Sequence, residues 1–168
     1  RASGDHLREL AVVDVALVGQ RFTGSRAVWH ASSLRRILAA IAEPASVGLS
    51  AVAAAALPCH RRNALAVHVA LGSASSGVAR RVPLAPGRYE TVHVASAQRL
   101  SLGDTVRFDG PGTLSLDGER DVVLADDDYA MLTVSADGPH VIDVEAVLVH
   151  AVALRSATDA AQPHPKET

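Results

Sequence analysis

Apolar positions along this chain fall in short runs, and most of the runs alternate with polar positions at period two. From Ala64 onward the alternation is regular. Leu65–Leu71, Arg80–Leu84, Tyr89–Val94, Asp104–Phe108 and Gly112–Leu116 each place one apolar face against one polar face. Gly72-Ser73, Ala85-Pro86-Gly87, Leu102-Gly103-Asp104 and Asp109-Gly110-Pro111-Gly112 separate them with turn residues. Asp121–Leu124, Met131–Val134 and His140–Val144 continue the series. Leu10–Val18 is apolar on both faces except at Asp14, the pattern of a buried strand. Leu34, Ile37, Leu38 and Ile41 instead follow i, i+3, i+4, i+7, which predicts a helix capped by Ser32 or Ser33 and ended at Pro44. Between Ala45 and Leu57 the alanines tolerate a helix, but the alternation of Val47, Leu49, Ala51 and Ala53 favours a strand through Leu49 and Val52. Val144–Leu154 reads as a final helix or strand.

Strands at this spacing predict a mainly β, antiparallel-rich, β-sandwich-like domain with one or two helices. The expected boundaries are a flexible start at 1–9, a β-rich domain at 10–155 and a disordered tail at 156–168, with its Gln-Pro-His-Pro-Lys-Glu-Thr ending.

Composition narrows the function. The 168 residues suit one domain. Aromatic residues make up 3% and the net charge is -2, so neither stacking platforms nor a basic footprint for nucleic acid is present. Cys59 is the only cysteine, which rules out an internal disulfide and points to a reducing, cytoplasmic setting. No apolar run reaches the ~20 residues of a membrane span. The chain begins at Arg1, which reads as a piece of a longer protein or a processed form.

Candidate chemistry is sparse. The histidines at 6, 30, 60, 68, 93, 140, 150 and 164 show no helical or tight-turn ligand spacing. His68 and His93 stand inside alternating strands, where a surface or satisfied cross-strand role is expected. A Gly-x-Ser-x-Gly elbow is missing; Gly48-Leu49-Ser50 comes nearest. Asp126-Asp127-Asp128 lacks the spaced ligands of a calcium loop and reads as a solvated turn. Two stretches remain. Gly19–Arg26 offers backbone amides, the Thr23 and Ser25 hydroxyls and the Arg21 and Arg26 guanidinium groups, which suit an anion; alternatively it is a solvated loop with Phe22 and Trp29 tucked into the core. Asp117-Gly118-Glu119 can present two carboxylates to a ligand, or serve only as a hairpin turn whose Asp-Gly supplies positive φ.

Read in order, Arg21-Phe-Thr-Gly-Ser-Arg-Ala-Val-Trp29, Ile41–Val52, Val82–Gly87, Leu116–Arg120 and Val141–Glu145 resemble the C-terminal region of the ATP-NAD kinase/AcoX family, in the NAD kinase and diacylglycerol kinase-like superfamily. The resemblance implies the C-terminal domain of a two-domain, kinase-like fold. In that fold an N-terminal domain carries a Gly-Gly-Asp-Gly-Thr motif for ATP and magnesium, and the β-rich domain helps form the acceptor site and an oligomer interface. Asp117, Gly118 and Glu119 carry over as cleft residues, and Arg21, Thr23 and Arg26 join them as the expected substrate contacts. The acceptor implied is a small molecule, with NAD an inherited candidate. The Gly-Gly-Asp-Gly-Thr motif is absent here. Phosphoryl transfer needs positioned phosphates and magnesium, so ATP and magnesium are expected to be held elsewhere than on this chain. The expectation is therefore an acceptor-binding and homo-oligomerising domain of an NAD kinase-like enzyme, not competent for transfer alone. The other open reading is a non-catalytic ligand-binding or assembly module.

Overall fold

A computed structural model describes residues 7–19, 30–60, 63, 65–140 and 142–161. The chain divides into two units, Arg1–Gly138 and Pro139–Thr168. Among its described residues the first has nine strands: β1 (Asp14–Val18), β2 (Leu34–Ala39), β3 (Leu65–Leu71), β4 (Val78–Ala85), β5 (Arg88–Ser101), β6 (Thr105–Asp109), β7 (Gly112–Leu116), β8 (Arg120–Leu124) and β9 (Tyr129–Thr133). Helix α1 (Leu49–Ala56) lies between β2 and β3.

Seven strands form one sheet in the order β4-β5-β3-β2-β1-β7-β8, and β6 and β9 form a separate two-stranded ribbon. Every pairing is antiparallel. The long β5 serves two partners: its first half pairs with β4 and its second half with β3.

Alternation along the strands divides the core between the two faces of this sheet. On one face Ala16, Val18, Ile37, Val67, Val69, Val82 and Val92 pack against Val52, Ala53 and Ala54 of α1. On the other, Leu17, Leu38, Ala66, Leu100, Leu114 and Leu116 meet Phe108, Val106, Ala130 and Leu132 of the ribbon. The result is a three-layered, β-sandwich-like domain of helix, sheet and ribbon, predominantly antiparallel as the alternation implies.

Three expectations are corrected. The helix expected over Leu34–Ile41 is strand β2. It lies between β1 and β3 with both faces covered, so its apolar residues need not alternate and mimic helical spacing by coincidence. Ile37 faces α1, while Leu38 faces the ribbon. The strand expected at Leu49–Val52 is helix α1. Its alanines have the highest helix propensity, and their small side chains let the helix settle close on the sheet. Gly48 enters it with φ +86°, a conformation L side chains rarely adopt. Arg80 closes the other end, its Nε donating to the Ala55 carbonyl at 3.2 Å, where a cation suits the helix dipole.

No strand forms among the described residues of His140–Val144. Asp143 instead caps helix α2 (Val144–Ala161), its Oδ1 accepting from the Ala146 amide at 3.0 Å. In this second unit the helix runs past Ala157, beyond the expected start of the tail, and residues 162–168 lie outside those described. Elsewhere the strand boundaries move by a few residues; the largest change extends β5 through Ala95–Ser101, whose small and polar residues carry little alternation.

Candidate functional site

The β7–β8 turn is where the sequence concentrates its acidic chemistry. Leu116 pairs with Arg120, and the Glu119 amide donates to the Leu116 carbonyl at 3.0 Å. Asp117 and Gly118 sit between them with φ of +54° and +68°, both left-handed as a tight hairpin reversal requires. Asp is one of the few L residues that tolerates this region.

The Asp117 carboxylate is directed at the chain entering β1. Its Oδ1 accepts from the Val12, Val13 and Asp14 amides at 3.0, 2.7 and 3.1 Å, and its Oδ2 also lies 3.0 Å from the Val12 amide. The Asp117 amide in turn donates to the Asp14 carbonyl at 2.8 Å. Three successive N–H groups thus converge on one carboxylate, tying the turn to the chain that enters β1. Arg120 supplements the clamp: it pairs with Glu9 at 2.6 Å, donates to the Leu10 carbonyl and lies 3.7 Å from Asp117. These arginine contacts are half-exposed and contribute little individually.

Asp14 itself is 7% exposed. Its Oδ2 accepts from the Ser50 hydroxyl at 2.9 Å, in the first turn of α1. Burial raises its pKa above the ordinary carboxylate value, the Ser50 hydrogen bond works against that rise, and the neighbouring Asp117 charge adds to it. Asp117 is thus bound by backbone donors, while Asp14 is pushed towards its protonated form. A buried carboxyl shifted in this way, next to a second carboxylate, is suited to holding or passing a proton. The sequence signal for Asp14 is its isolation in an otherwise apolar strand.

Of the residues singled out from sequence, Asp117, Gly118 and Glu119 lie together on this turn. Glu119 is exposed, and a Cβ built on Gly118 meets no atom within 4 Å, so the turn's outer side is open. Arg21, Thr23 and Arg26, with Phe22 and Trp29, lie outside the described residues; Gly19 marks the approach to that stretch, its amide bonded to the Ser33 carbonyl at 2.7 Å.

The remaining candidates resolve separately. Asp128 closes its own turn by accepting from the Ala125 amide at 2.8 Å, and Asp126 and Asp127 are exposed. Among the described residues no three His, Cys, Asp or Glu side chains are grouped to hold a metal ion. Nor is any helix among them long and apolar enough to cross a membrane. His68 departs from the surface or satisfied role expected of it. It is buried, and its Nε2 is a buried side-chain polar atom without a hydrogen-bond partner among the described residues.

The family model of the acetoin catabolism protein X C-terminal domain matches residues 2–137. The chain belongs to the AcoX family. Acetoin catabolism protein X of Cupriavidus necator is 33% identical over 151 residues, covering 89% of this chain. The aligned region is 42% of that relative, so the chain spans less than half of its length. No solved structure gives a significant match. The matched interval of this AcoX domain contains all nine strands, α1 and the whole Asp117 clamp.

Proposed function

We propose that this AcoX domain is the acceptor-binding and oligomerising portion of a small-molecule kinase related to the NAD kinases, dependent for phosphoryl transfer on an ATP- and magnesium-binding domain that it does not itself contain. The observation that carries the reading is the family match over 2–137. That match bears on the AcoX part of the reading, and the kinase-like part rests on the resemblance carried by the order of motifs. The absence of a Gly-Gly-Asp-Gly-Thr motif from the chain fits a domain that contributes the acceptor side only.

In this reading the open face of the β7–β8 turn and the Gly19–Arg26 stretch share the acceptor. Gly118 offers a backbone approach free of a side chain, Glu119 an exposed carboxylate for hydroxyl groups, and Arg21, Thr23 and Arg26 donors for phosphate. Asp117 acts by holding the turn, because its own acceptor atoms are taken by Val12, Val13 and Asp14. NAD is the first acceptor to try.

A second reading, a ligand-binding or assembly module without chemistry, is favoured by that same occupation of Asp117. Isothermal titration of the purified chain with NAD, and separately with ATP–magnesium, distinguishes them. The acceptor reading expects heat with NAD that weakens in Glu119→Ala and Arg26→Ala, and none with ATP–magnesium. A folded chain silent towards NAD favours the assembly module.

A further inference from the structure

His68 lies on β3 near the middle of the seven-stranded sheet, on the face that the ribbon covers. Its ring centroid is 5.7 Å from that of Phe108, the largest fully buried side chain among the described residues, which β6 lowers onto the sheet. The residue is 9% exposed. Nδ1 is 3.5 Å from Gln98 Nε2 on β5, and Nε2 has no hydrogen-bond partner among the described residues. A neutral imidazole tolerates this, but an imidazolium carries two N–H donors and a charge that need acceptors.

Among the described residues the surroundings offer no compensation. From β2 the facing charge is a second cation, Arg36, whose guanidinium lies 5.9 Å from the Phe108 ring centre. From β5 comes the neutral Gln98, and from β6 Phe108; β9 brings Ala130 and Leu132 to this face. Arg107 and Asp109 of β6 pair with each other on the ribbon's outer side, and Arg107 lies over Tyr129 of β9. Arg36 also ties the layers together, its Nη1 donating to the Arg107 carbonyl at 3.3 Å. The ribbon shares no strand pairing with the large sheet, so side-chain packing over His68 holds much of it in place.

We propose that His68 is a proton-operated latch for the β6–β9 ribbon, whose protonation unseats the ribbon from the sheet face it covers. The proton adds an unpaired donor beneath Phe108 and repels Arg36, weakening the Arg36–Arg107 tie. Because no strand pairing joins the ribbon to the sheet, it is the layer that yields. Burial, reinforced by Arg36, lowers the His68 pKa, so the neutral ring and the closed ribbon persist around neutral pH.

Amide hydrogen exchange followed by NMR at pH 7.5 and 5.5, with rates corrected for intrinsic exchange, tests this directly. The expected result is loss of protection on acidification in Thr105–Asp109 and Tyr129–Thr133, with β3 and β5 retaining theirs. In His68→Gln, uncharged at both values, the ribbon should show the same protection at each pH. Arg36→Gln, which removes the facing cation, should reduce the loss and covers the case in which His68→Gln does not fold. Ribbon protection that does not change with pH, loss spread equally over β3 and β5, or an undiminished pH response in both variants would overturn the latch.

Discussion

The Asp117 carboxylate accepts a hydrogen bond from the Val13 amide at 2.7 Å, across 104 positions of sequence. The turn joining β7 to β8 thereby fixes the segment that leads into β1. The same residue holds a left-handed backbone and closes the clamp, so its identity is set twice.

Asp117→Ala should therefore destabilise the domain by about 1–3 kcal/mol, the range for leaving hydrogen-bonding groups without partners. Asp117→Asn keeps one acceptor oxygen and tolerates the left-handed region, so it should cost less. Urea unfolding of the two variants side by side checks the order. Equal losses would mean that the carboxylate contributes through charge rather than through the amides it accepts.

Two glycines near this turn should differ sharply. A Cβ on Gly112 would lie 2.6 Å from the Val18 carbonyl, where β7 pairs with β1, whereas one on Gly118 meets nothing within 4 Å. Gly118→Ala is expected to cost only its backbone strain, about 1–2 kcal/mol. Gly112→Ala must push β7 away from β1 in the middle of the fold and should cost more, or prevent folding. Comparing thermal midpoints decides it.

Asp14 and His68 act on stability in opposite senses. Asp14 has a raised pKa in the folded state, so it contributes stability fully below its unfolded value of 3.8, and that contribution is lost as pH rises through the folded value. Asp14→Asn retains an acceptor for the Ser50 hydroxyl without the charge. Its stability relative to the parent chain should improve as pH is raised from 4 to 7. His68, with a lowered pKa, contributes above its unfolded value of 6.5 and loses that contribution as pH falls through the folded value. Denaturant midpoints of Asp14→Asn and His68→Gln across this range should diverge from the parent in these opposite directions.

Phe108 is fully buried between ribbon and sheet, so Phe108→Ala should cost about 3–5 kcal/mol. The accompanying change in amide exchange should be largest in β6 and β9. A loss concentrated in α1 and its face of the sheet would place the ribbon's contribution elsewhere.

Most of the outer architecture is legible in the sequence, because strands with one covered face and one polar face announce themselves by alternation. β3 and β7 are covered on both faces, yet they begin and end at the expected residues, Leu65–Leu71 and Gly112–Leu116, because His68 in one and Thr113 and Ser115 in the other keep the alternation visible. The interior is harder to read. β2 is covered on both sides, and Leu34, Ile37 and Leu38 consequently lose the period that distinguishes a strand from a helix. In α1, Ala53 and Ala54 pack against the sheet through small side chains, and the alternation of Val47, Leu49, Ala51 and Ala53 conceals the helix. At the site, Asp117-Gly118 is legible as a turn from residue type alone. Its clamp on Val12, Val13 and Asp14 is not, because nothing local marks a partner a hundred residues away. The Asp14–Ser50 bond is hidden for the same reason.

The most direct test of the acceptor-binding account is an NMR titration of the isotopically labelled chain with NAD, following every backbone amide. The account predicts saturable shifts concentrated at Gly118 and Glu119 and across Gly19–Arg26, weakened by Glu119→Ala. Shifts confined to other surfaces, such as the Arg107–Tyr129 face of the ribbon, or no shifts from a folded sample, would contradict it.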